Sequence, residues 1–281
     1  MKNLPDDFRF SKAKGQNFLR DASITRRIAE SASIDGADVL EIGAGAGALT
    51  VELARRAAHV LTLEVDRMLI APLNSALADA NVGNVTVLNL DALKCELPQL
   101  LDAHFGASSH PVLCANLPYA ITTPLLSRLL ELRRFPVLTV MVQLEVAQRI
   151  CAEPSSKEYG AFSVFAQYHS SPRILFMVPP SAFVPRPKVH SAVVRLDAPP
   201  RSVEAHAPDL LPPDEAHMFR IVRAAFQQRR KTLQNALCSA LGIEKARVAD
   251  ALTVLGHPPD ARGETLSVAE FIALADTLKR E

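Results

Sequence analysis

The sequence predicts an α/β protein that ends in a small all-helical domain, and three observations carry this prediction. Before residue 111, short apolar runs alternate with helical patterns of apolar residues. A proline-rich polar stretch at 198–213 then marks the expected linker. Beyond it, residues 214–281 show helical periodicity alone. We therefore predict two domains, one over residues 1–200 and a helical one over residues 210–281.

The elements of the first domain are predicted to alternate between strand and helix. In chain order they are a strand at 37–42, a helix at 48–56, a strand at 59–65, a helix at 67–77, and strands at 85–88 and 112–115. Strands this short and this apolar are typical of a parallel sheet covered by helices on both faces.

The second domain is predicted to contain four helices. Their expected bounds are 216–226, 232–241, 244–255 and 268–279. The last helix should begin at a capping box, because Ser267 and Glu270 have the spacing in which each side chain satisfies the other's backbone N–H.

Composition excludes several classes of protein. With 281 residues, 48% hydrophobic and 22% charged, the chain is not disordered, and its net charge of +1 argues against binding nucleic acid by bulk charge alone. The four cysteines and eight histidines lack metal-ligand spacing, so we expect no metal and free thiols in a reducing compartment. The first residues lack the apolar core of a secretory signal and no apolar run is long enough to span a bilayer, which predicts a soluble, cytoplasmic protein. We also expect a monomer.

A glycine-rich loop connects the first predicted strand to the first predicted helix. Gly43, Gly45 and Gly47 lie within five residues, and glycine there permits a tight turn and close approach of a ligand to the backbone. Glu64 ends the next strand, 21 residues after Gly43, a position from which an acid commonly binds ribose hydroxyls. The loop therefore predicts a nucleoside site, and by itself it fits NAD as well as S-adenosylmethionine.

A second loop distinguishes these ligands. Asn116-Leu117-Pro118-Tyr119 follows the fourth apolar strand, where it should face the glycine loop, and Asn-x-Pro-Tyr resembles the signature of enzymes that methylate amino groups of nucleic-acid bases. An adenine N6 amine is a poor nucleophile. Acceptors from Asn116 and from the Leu117 carbonyl would favour a pyramidal nitrogen, and Tyr119 would stack on the extruded base while Pro118 stiffens the loop.

Motifs along nearly the whole chain resemble the ribosomal RNA adenine dimethyltransferase family, and within it the bacterial branch that acts on small-subunit (16S) RNA. They are Gly15-Gln16-Asn17-Phe18-Leu19, Gln143-x-Glu145-Val146-x-x-Arg149, Ser156-Lys157-x-Tyr159-Gly160, the stretch from Pro179 to Leu196, and Phe226-x-Gln228-Arg229-Arg230-Lys231-Thr232-Leu233. The resemblance implies a class I S-adenosylmethionine-dependent methyltransferase (Rossmann-like) domain with a small C-terminal all-α domain that binds RNA. It also implies that the partner is 16S rRNA within the immature small ribosomal subunit.

The resemblance also assigns roles to individual residues. Asn17 and Leu19 would contact S-adenosyl-L-methionine, Gly43 would adjoin its methionine part and Glu64 its ribose. Asp91, which follows the third strand, would bind the adenine amine. Asn116 would serve both cofactor and target, and Phe183 would pack on the target base opposite Tyr119. The chain departs from the family pattern at Lys14, Ala120, Ala161, His190 and Gln234, which affects the expected RNA contacts and none of the methyl-transfer residues.

Three clusters of cations are candidates for binding RNA phosphates. They lie in the N-terminal arm, beside the predicted pocket and in the helical domain, and comprise Lys12, Lys14, Arg186, Lys188, Arg220, Arg223, Arg229, Arg230 and Lys231. The cations from Arg220 to Lys231 are predicted to have helical spacing, with Arg220, Arg223 and Arg230 in one stripe and Arg229 and Lys231 flanking it.

Three other functions remain open from the sequence alone. A large-subunit (23S) adenine methyltransferase of the macrolide-resistance type would share most of the catalytic motifs. An NAD-dependent oxidoreductase would use the same glycine loop, but it gives no reason for Asn116-Leu117-Pro118-Tyr119. An assembly factor would depend on binding more than on catalysis.

Overall fold

A computed structural model describes residues 17–198 and 214–279. These residues form two compact units: the first contains 17–147 and 169–198, and the second contains 148–168 and 214–279. Lys12, Lys14 and the start of the N-terminal motif lie outside the described residues, as does most of the predicted linker. None of the described helices has the length and apolarity needed to cross a membrane.

The described residues contain two sets of regular elements. The strands are β1 (Phe18–Leu19), β2 (Asp38–Ile42), β3 (His59–Leu63), β4 (Val85–Leu88), β5 (Val112–Asn116), β6 (Val137–Gln143), β7 (Ser171–Val178), β8 (Phe183–Val184) and β9 (Ser191–Asp197). The helices are α1 (Ala22–Ser31), α2 (Ala48–Ala54), α3 (Arg67–Asp79), α4 (Leu97–Phe105), α5 (Thr122–Leu132), α6 (Leu144–Ile150), α7 (Ala161–His169), α8 (Glu215–Gln227), α9 (Leu233–Leu241), α10 (Lys245–Val254) and α11 (Val268–Thr277).

The first unit is built on a seven-stranded sheet in the order β4-β3-β2-β5-β6-β9-β7. Strands β2 to β6 pair in parallel, whereas β9 runs antiparallel to both β6 and β7. The predicted α/β fold is confirmed, and the predicted strands and helices before residue 116 recur with their bounds shifted by at most two residues. A separate pair, β1 with β8, joins the start of the described chain to the segment before β9.

The strand order indicates which edge of this sheet should bind a ligand. The chain proceeds outward from β2 through β3 to β4, and then returns to the other side of β2 with β5. Open α/β sheets bind ligands at the carboxyl ends of the strands beside such a reversal. The loops after β2 and β5 are the glycine loop and the loop from Asn116 to Tyr119, so the two predicted motifs share this edge.

The second unit is helical apart from connecting turns, as predicted, and the capping box of Ser267 and Glu270 is present at the start of α11. Residues 148–168 pack with this unit. The Tyr159 ring is completely buried in its apolar cluster, and the Tyr159 hydroxyl donates to the Leu266 carbonyl at 2.8 Å. The division at residue 200 stays a prediction, and the packing of 148–168 is a feature that it did not include.

The predicted helices at 216–226 and 232–241 recur as α8 and α9 with bounds shifted by at most one residue, but the expected single stripe of cations is wrong. Helix α8 ends at Gln227, and Gln228 leaves the helical region with φ −126° and ψ 58°. Arg229, Arg230 and Lys231 therefore lie in the turn before α9 and do not continue the helical stripe of Arg220 and Arg223.

Candidate active site

A cavity of about 410 Å³ opens at the carboxyl edge of the sheet in the first unit. This volume lies in the range typical of sites for small ligands and cofactors. Its lining includes each of the predicted cofactor residues, namely Asn17, Leu19, Gly43, Gly45, Glu64, Asp91 and Asn116. It also includes Leu117, Pro118 and Tyr119, so the structure brings the two predicted loops to one cavity.

The glycine loop has backbone conformations that favour glycine. Gly43, Gly45 and Gly47 have φ of +83°, +59° and +87°. The Gly43 N–H donates to the Leu63 carbonyl at 2.8 Å, which fixes the start of the loop against β3. A side chain at Gly45 would begin only 2.8 Å from the Phe18 ring, so this glycine is required by close packing as well as by its φ.

Glu64 binds the glycine loop through its carboxylate. The side chain is 5% exposed, and its two carboxylate oxygens accept hydrogen bonds from the Gly45 and Asp66 N–H groups, each at 2.8 Å. These backbone donors therefore fix the orientation of the carboxylate at the cavity.

Asp91 is oriented at the next strand end. One oxygen of this half-buried carboxylate accepts from the Leu93 N–H at 2.9 Å, and the other lies 3.5 Å from the Lys94 ammonium. Two apolar neighbours that sequence reasoning missed, Val65 and Leu90, also line the cavity and are 54% and 38% exposed. The available signal was an apolar residue directly beside an acid at a strand end. Together these side chains offer apolar surface and an acceptor, which suits a purine.

The Asn116 loop is fixed at both ends. The Leu117 N–H donates to the Met141 carbonyl at 3.1 Å, and the Thr122 hydroxyl donates to the Pro118 carbonyl at 3.0 Å. A Cβ at Gly43 would lie 3.5 Å from the Asn116 carbonyl oxygen. The two loops therefore meet within van der Waals distance, and both line the same cavity.

The Tyr119 hydroxyl is bonded to a buried partner, the Ser191 hydroxyl, at 2.6 Å. Partial burial raises the pKa of Tyr119 above its ordinary value, although the Ser191 hydrogen bond opposes this shift. The phenol thus stays protonated at neutral pH, and a hydrogen bond to Ser191 fixes its hydroxyl.

Phe183 is placed differently from the other predicted residues. Its ring is 2% exposed and packs in an apolar cluster with Leu19, and its backbone pairs with Leu19 between β8 and β1. The ring is not part of the cavity lining. Stacking on a target base stays a prediction, and it requires exposure of a ring that is buried here.

A second buried carboxyl, that of Glu41, lies on β2 two residues before Gly43. Glu41 is 1% exposed and accepts a hydrogen bond from the Thr62 hydroxyl at 2.8 Å. Burial raises the pKa of Glu41 to about 7, and repulsion from Glu64 adds to the shift. Sequence reasoning gave this residue no role, because burial depends on both neighbouring strands.

The predicted RNA-binding cations within the described residues are all exposed, and Arg229 also makes hydrogen bonds within the second unit. Arg186, Lys188, Arg220, Arg223, Arg230 and Lys231 are exposed. Arg229 is also exposed, but it bonds to Glu264 at 2.7 Å and to the Lys157 carbonyl at 2.8 Å, which ties the turn after α8 to two other segments of the second unit. Among the described residues, no cluster of three or more His, Cys, Asp or Glu side chains is arranged to hold a metal ion.

Comparisons with known proteins agree with this geometry. A family model described as "Ribosomal RNA adenine dimethylase" matches residues 7–278. The chain is 45% identical over 274 residues to "Ribosomal RNA small subunit methyltransferase A" of Moorella thermoacetica, covering 95% of this chain and 92% of that protein. The protein of the same name from Alkaliphilus oremlandii is 42% identical over 282 residues, covering 98% and 94%.

Two solved structures are similar over nearly the whole chain. A dimethyladenosine transferase from Plasmodium falciparum has a TM-score of 0.72 at 25% identity, covering 92% of this chain and 95% of its own. The 23S rRNA methyltransferase ErmE has a TM-score of 0.70 at 27% identity, covering 93% and 99%.

Proposed function

The chain belongs to the ribosomal RNA adenine dimethylase family, and from this premise we propose that it converts two adjacent adenosines in the 3′-terminal hairpin of 16S rRNA to N6,N6-dimethyladenosine. It is an S-adenosylmethionine-dependent rRNA adenine dimethyltransferase, and its first unit has the class I methyltransferase fold. The observation that carries the proposal is the cavity in which the glycine loop meets Asn116. Identities of 42–45% to small-subunit enzymes, against 27% to ErmE, support the small-subunit target.

The cavity residues fit S-adenosylmethionine. We assign the ribose to Glu64, whose carboxylate is already oriented by two backbone N–H groups. The adenine would lie between Val65 and Leu90, with its amine directed at Asp91. Asn17, Leu19 and Gly43 would adjoin the methionine part, where Gly43 leaves the backbone open to close approach.

The chemistry follows from the end of β5. S-adenosylmethionine supplies an electrophilic methyl group on a positively charged sulfur. The Asn116 side-chain oxygen and the Leu117 carbonyl accept the amine hydrogens, so that the N6 lone pair is directed at the methyl carbon. Tyr119 stacks on the extruded base, and Pro118 limits the motion of the loop. The main contribution of the protein is alignment, because the displaced proton can leave to water.

RNA binding is assigned to local basic surfaces, because the net charge of the whole chain is only +1. Arg186 and Lys188 are exposed in the loop between β8 and β9 of the first unit, and Arg220 and Arg223 are exposed on α8 of the second. Phosphate contacts of this kind position a protein without reading sequence. Recognition of the target would then depend on the shape of a folded RNA.

We further propose that the substrate is the immature small ribosomal subunit, and that the enzyme acts in the cytoplasm as a monomer during subunit biogenesis. The cavity supports the monomer, because one chain supplies each predicted cofactor residue. The proposed division of labour is methyl transfer by residues 1–200, which include the basic N-terminal arm, and RNA binding by the helical residues 210–281.

Primer extension tests the target directly. Dimethylation of adenine N6 blocks Watson–Crick pairing, so reverse transcription stops at the modified bases. In cells lacking the gene, the wild-type chain should restore stops in the 3′-terminal hairpin of 16S rRNA, and Asn116→Ala should not. Stops in 23S rRNA would instead support the macrolide-resistance activity.

Particle binding separates catalysis from an assembly function. Asn116→Ala should sediment with immature small subunits as the wild type does, because the side chain acts on the amine and not on phosphates. Loss of both binding and methylation would show that Asn116 is misassigned. The oxidoreductase hypothesis is not retained, since the family and the Asn116 loop both belong to methyl transfer.

A further inference from the structure

Ser191 is a buried polar residue in an apolar strand. It is 0% exposed, and the three residues after it in β9, from Ala192 to Val194, are also completely buried. Burying a hydroxyl is costly unless it has a hydrogen-bond partner. The partner is the Tyr119 hydroxyl, at 2.6 Å, which belongs to the loop that carries the proposed chemistry.

The backbone of Ser191 is well fixed. In the antiparallel pairing, it lies opposite Gln143 of β6 on one side and Val178 of β7 on the other. The preceding residue is held too, because the Leu144 N–H donates to the His190 carbonyl at 2.9 Å. Because the backbone of Ser191 is fixed by both neighbouring strands, its hydroxyl offers the Tyr119 hydroxyl a hydrogen-bond partner at a fixed position.

The orientation of the Tyr119 ring depends on a contact made by its hydroxyl. The loop before it is held at its base by the bond from the Leu117 N–H to the Met141 carbonyl, at 3.1 Å. The Tyr119 side chain itself can rotate about two bonds, and base stacking requires one ring orientation. The Ser191 hydrogen bond fixes the distal oxygen and thereby selects that orientation.

We propose that Ser191 is a positioning residue for methyl transfer, which holds the Tyr119 ring in the orientation that stacks on the target adenine beside Asn116. This inference rests on the proposed function. Ser191 does not itself line the cavity, and it acts only through its hydrogen bond to Tyr119, which does.

Ser191→Ala tests the proposal with immature small subunits from a strain that lacks the modification. We expect kcat to fall roughly tenfold, the factor for loss of one buried hydrogen bond, while the Kd for S-adenosylmethionine measured by calorimetry stays unchanged. Thr139→Val is the matched control. Its hydroxyl is also buried, in β6, but the described residues give it no hydrogen-bond partner, so this variant should methylate at the wild-type rate.

Tyr119→Phe provides an independent variant that leaves the sheet unchanged. It removes the other half of the same hydrogen bond, so it should reproduce the fall in kcat, and the double variant Ser191→Ala/Tyr119→Phe should be no slower than either single variant. Ser191→Thr, which keeps the hydroxyl, should recover most of the rate.

Several results would overturn the proposal. They are a wild-type kcat for Ser191→Ala, multiplicative losses in the double variant, or a loss of Ser191→Ala activity that is explained by weaker cofactor binding or a lower Tm. If the wild-type chain itself transferred no methyl groups to the particle, the proposed function would fail before this inference was tested.

Discussion

Gly45→Ala perturbs the point where the glycine loop, β1 and Glu64 meet. The added Cβ would lie 2.8 and 2.9 Å from two atoms of the Phe18 ring, closer than real Cβ atoms approach other atoms. The ring is only 9% exposed and has little room to move. The residue also keeps φ near +59°, a conformation that alanine adopts at a cost.

The size of the effect follows from these two contributions. The left-handed conformation costs about 1–2 kcal/mol for alanine, and overpacking a tight site adds about 1–3 kcal/mol. We therefore expect Gly45→Ala to lower the free energy of unfolding by about 2–5 kcal/mol. Cofactor affinity should also fall, because the Gly45 N–H must move away from the Glu64 carboxylate.

Gly36→Ala separates the two contributions. Gly36 has φ of +70°, and an added Cβ there would meet nothing within 4 Å, so only the conformational cost applies. Urea unfolding at equilibrium measures both variants, and calorimetric titration with S-adenosylmethionine measures affinity. In a Phe18→Ala background, Gly45→Ala should cost less. Equal losses for the two glycine variants, with wild-type cofactor affinity, would refute the steric reasoning.

Three further predictions concern charged groups. Glu64→Gln should weaken S-adenosylmethionine binding roughly 10- to 100-fold, the value of hydrogen bonds to a charged acceptor, as calorimetry would measure. Burial raises the pKa of Glu41 from 4.5 to about 7, so the folded protein holds this proton more tightly than the unfolded chain does. The free energy of unfolding should therefore fall by roughly 3 kcal/mol as the pH rises from about 4.5 to about 7. Urea unfolding of Glu41→Gln should not show this loss. Arg229→Ala should lower the unfolding free energy by about 1 kcal/mol through loss of its bond to Glu264, whereas Arg230→Ala should weaken only particle binding.

Each of these has a contrary result. An unchanged Kd for Glu64→Gln would remove the carboxylate from the cofactor site. Parallel pH profiles for the wild type and Glu41→Gln would mean that Glu41 titrates normally in the fold. Equal thermal stability of Arg229→Ala and Arg230→Ala would show that the bond to Glu264 contributes nothing measurable.

The grouping of four predicted cofactor residues in one cavity was predictable because each of them lies at or just after the end of a strand. Gly43, Glu64, Asp91 and Asn116 each follow a short apolar run, and parallel strands end at one edge of a sheet. Local patterns in the sequence were sufficient to group them. Their presence in one cavity required no knowledge of long-range pairing beyond the parallel sheet itself.

Features that depend on distant partners were not predictable. The spacing of Arg220, Arg223 and Arg230 predicted one helical stripe, yet the chain turns after Gln227 and Arg229 bonds to Glu264, 35 residues away. Tyr159 likewise joins the second unit through Leu266, 107 residues away. Pairing of β8 with β1 buries Phe183, and no local signal distinguishes that burial from a place at the cavity.

Methyl transfer to purified particles tests the central claim most directly. Immature small subunits from a strain lacking the modification would be incubated with the enzyme and labelled S-adenosylmethionine, and their nucleosides analysed by mass spectrometry. We predict two N6,N6-dimethyladenosines per small subunit with the wild type and none with Asn116→Ala. Label confined to 23S rRNA, or methylation that persists in Asn116→Ala, would contradict it.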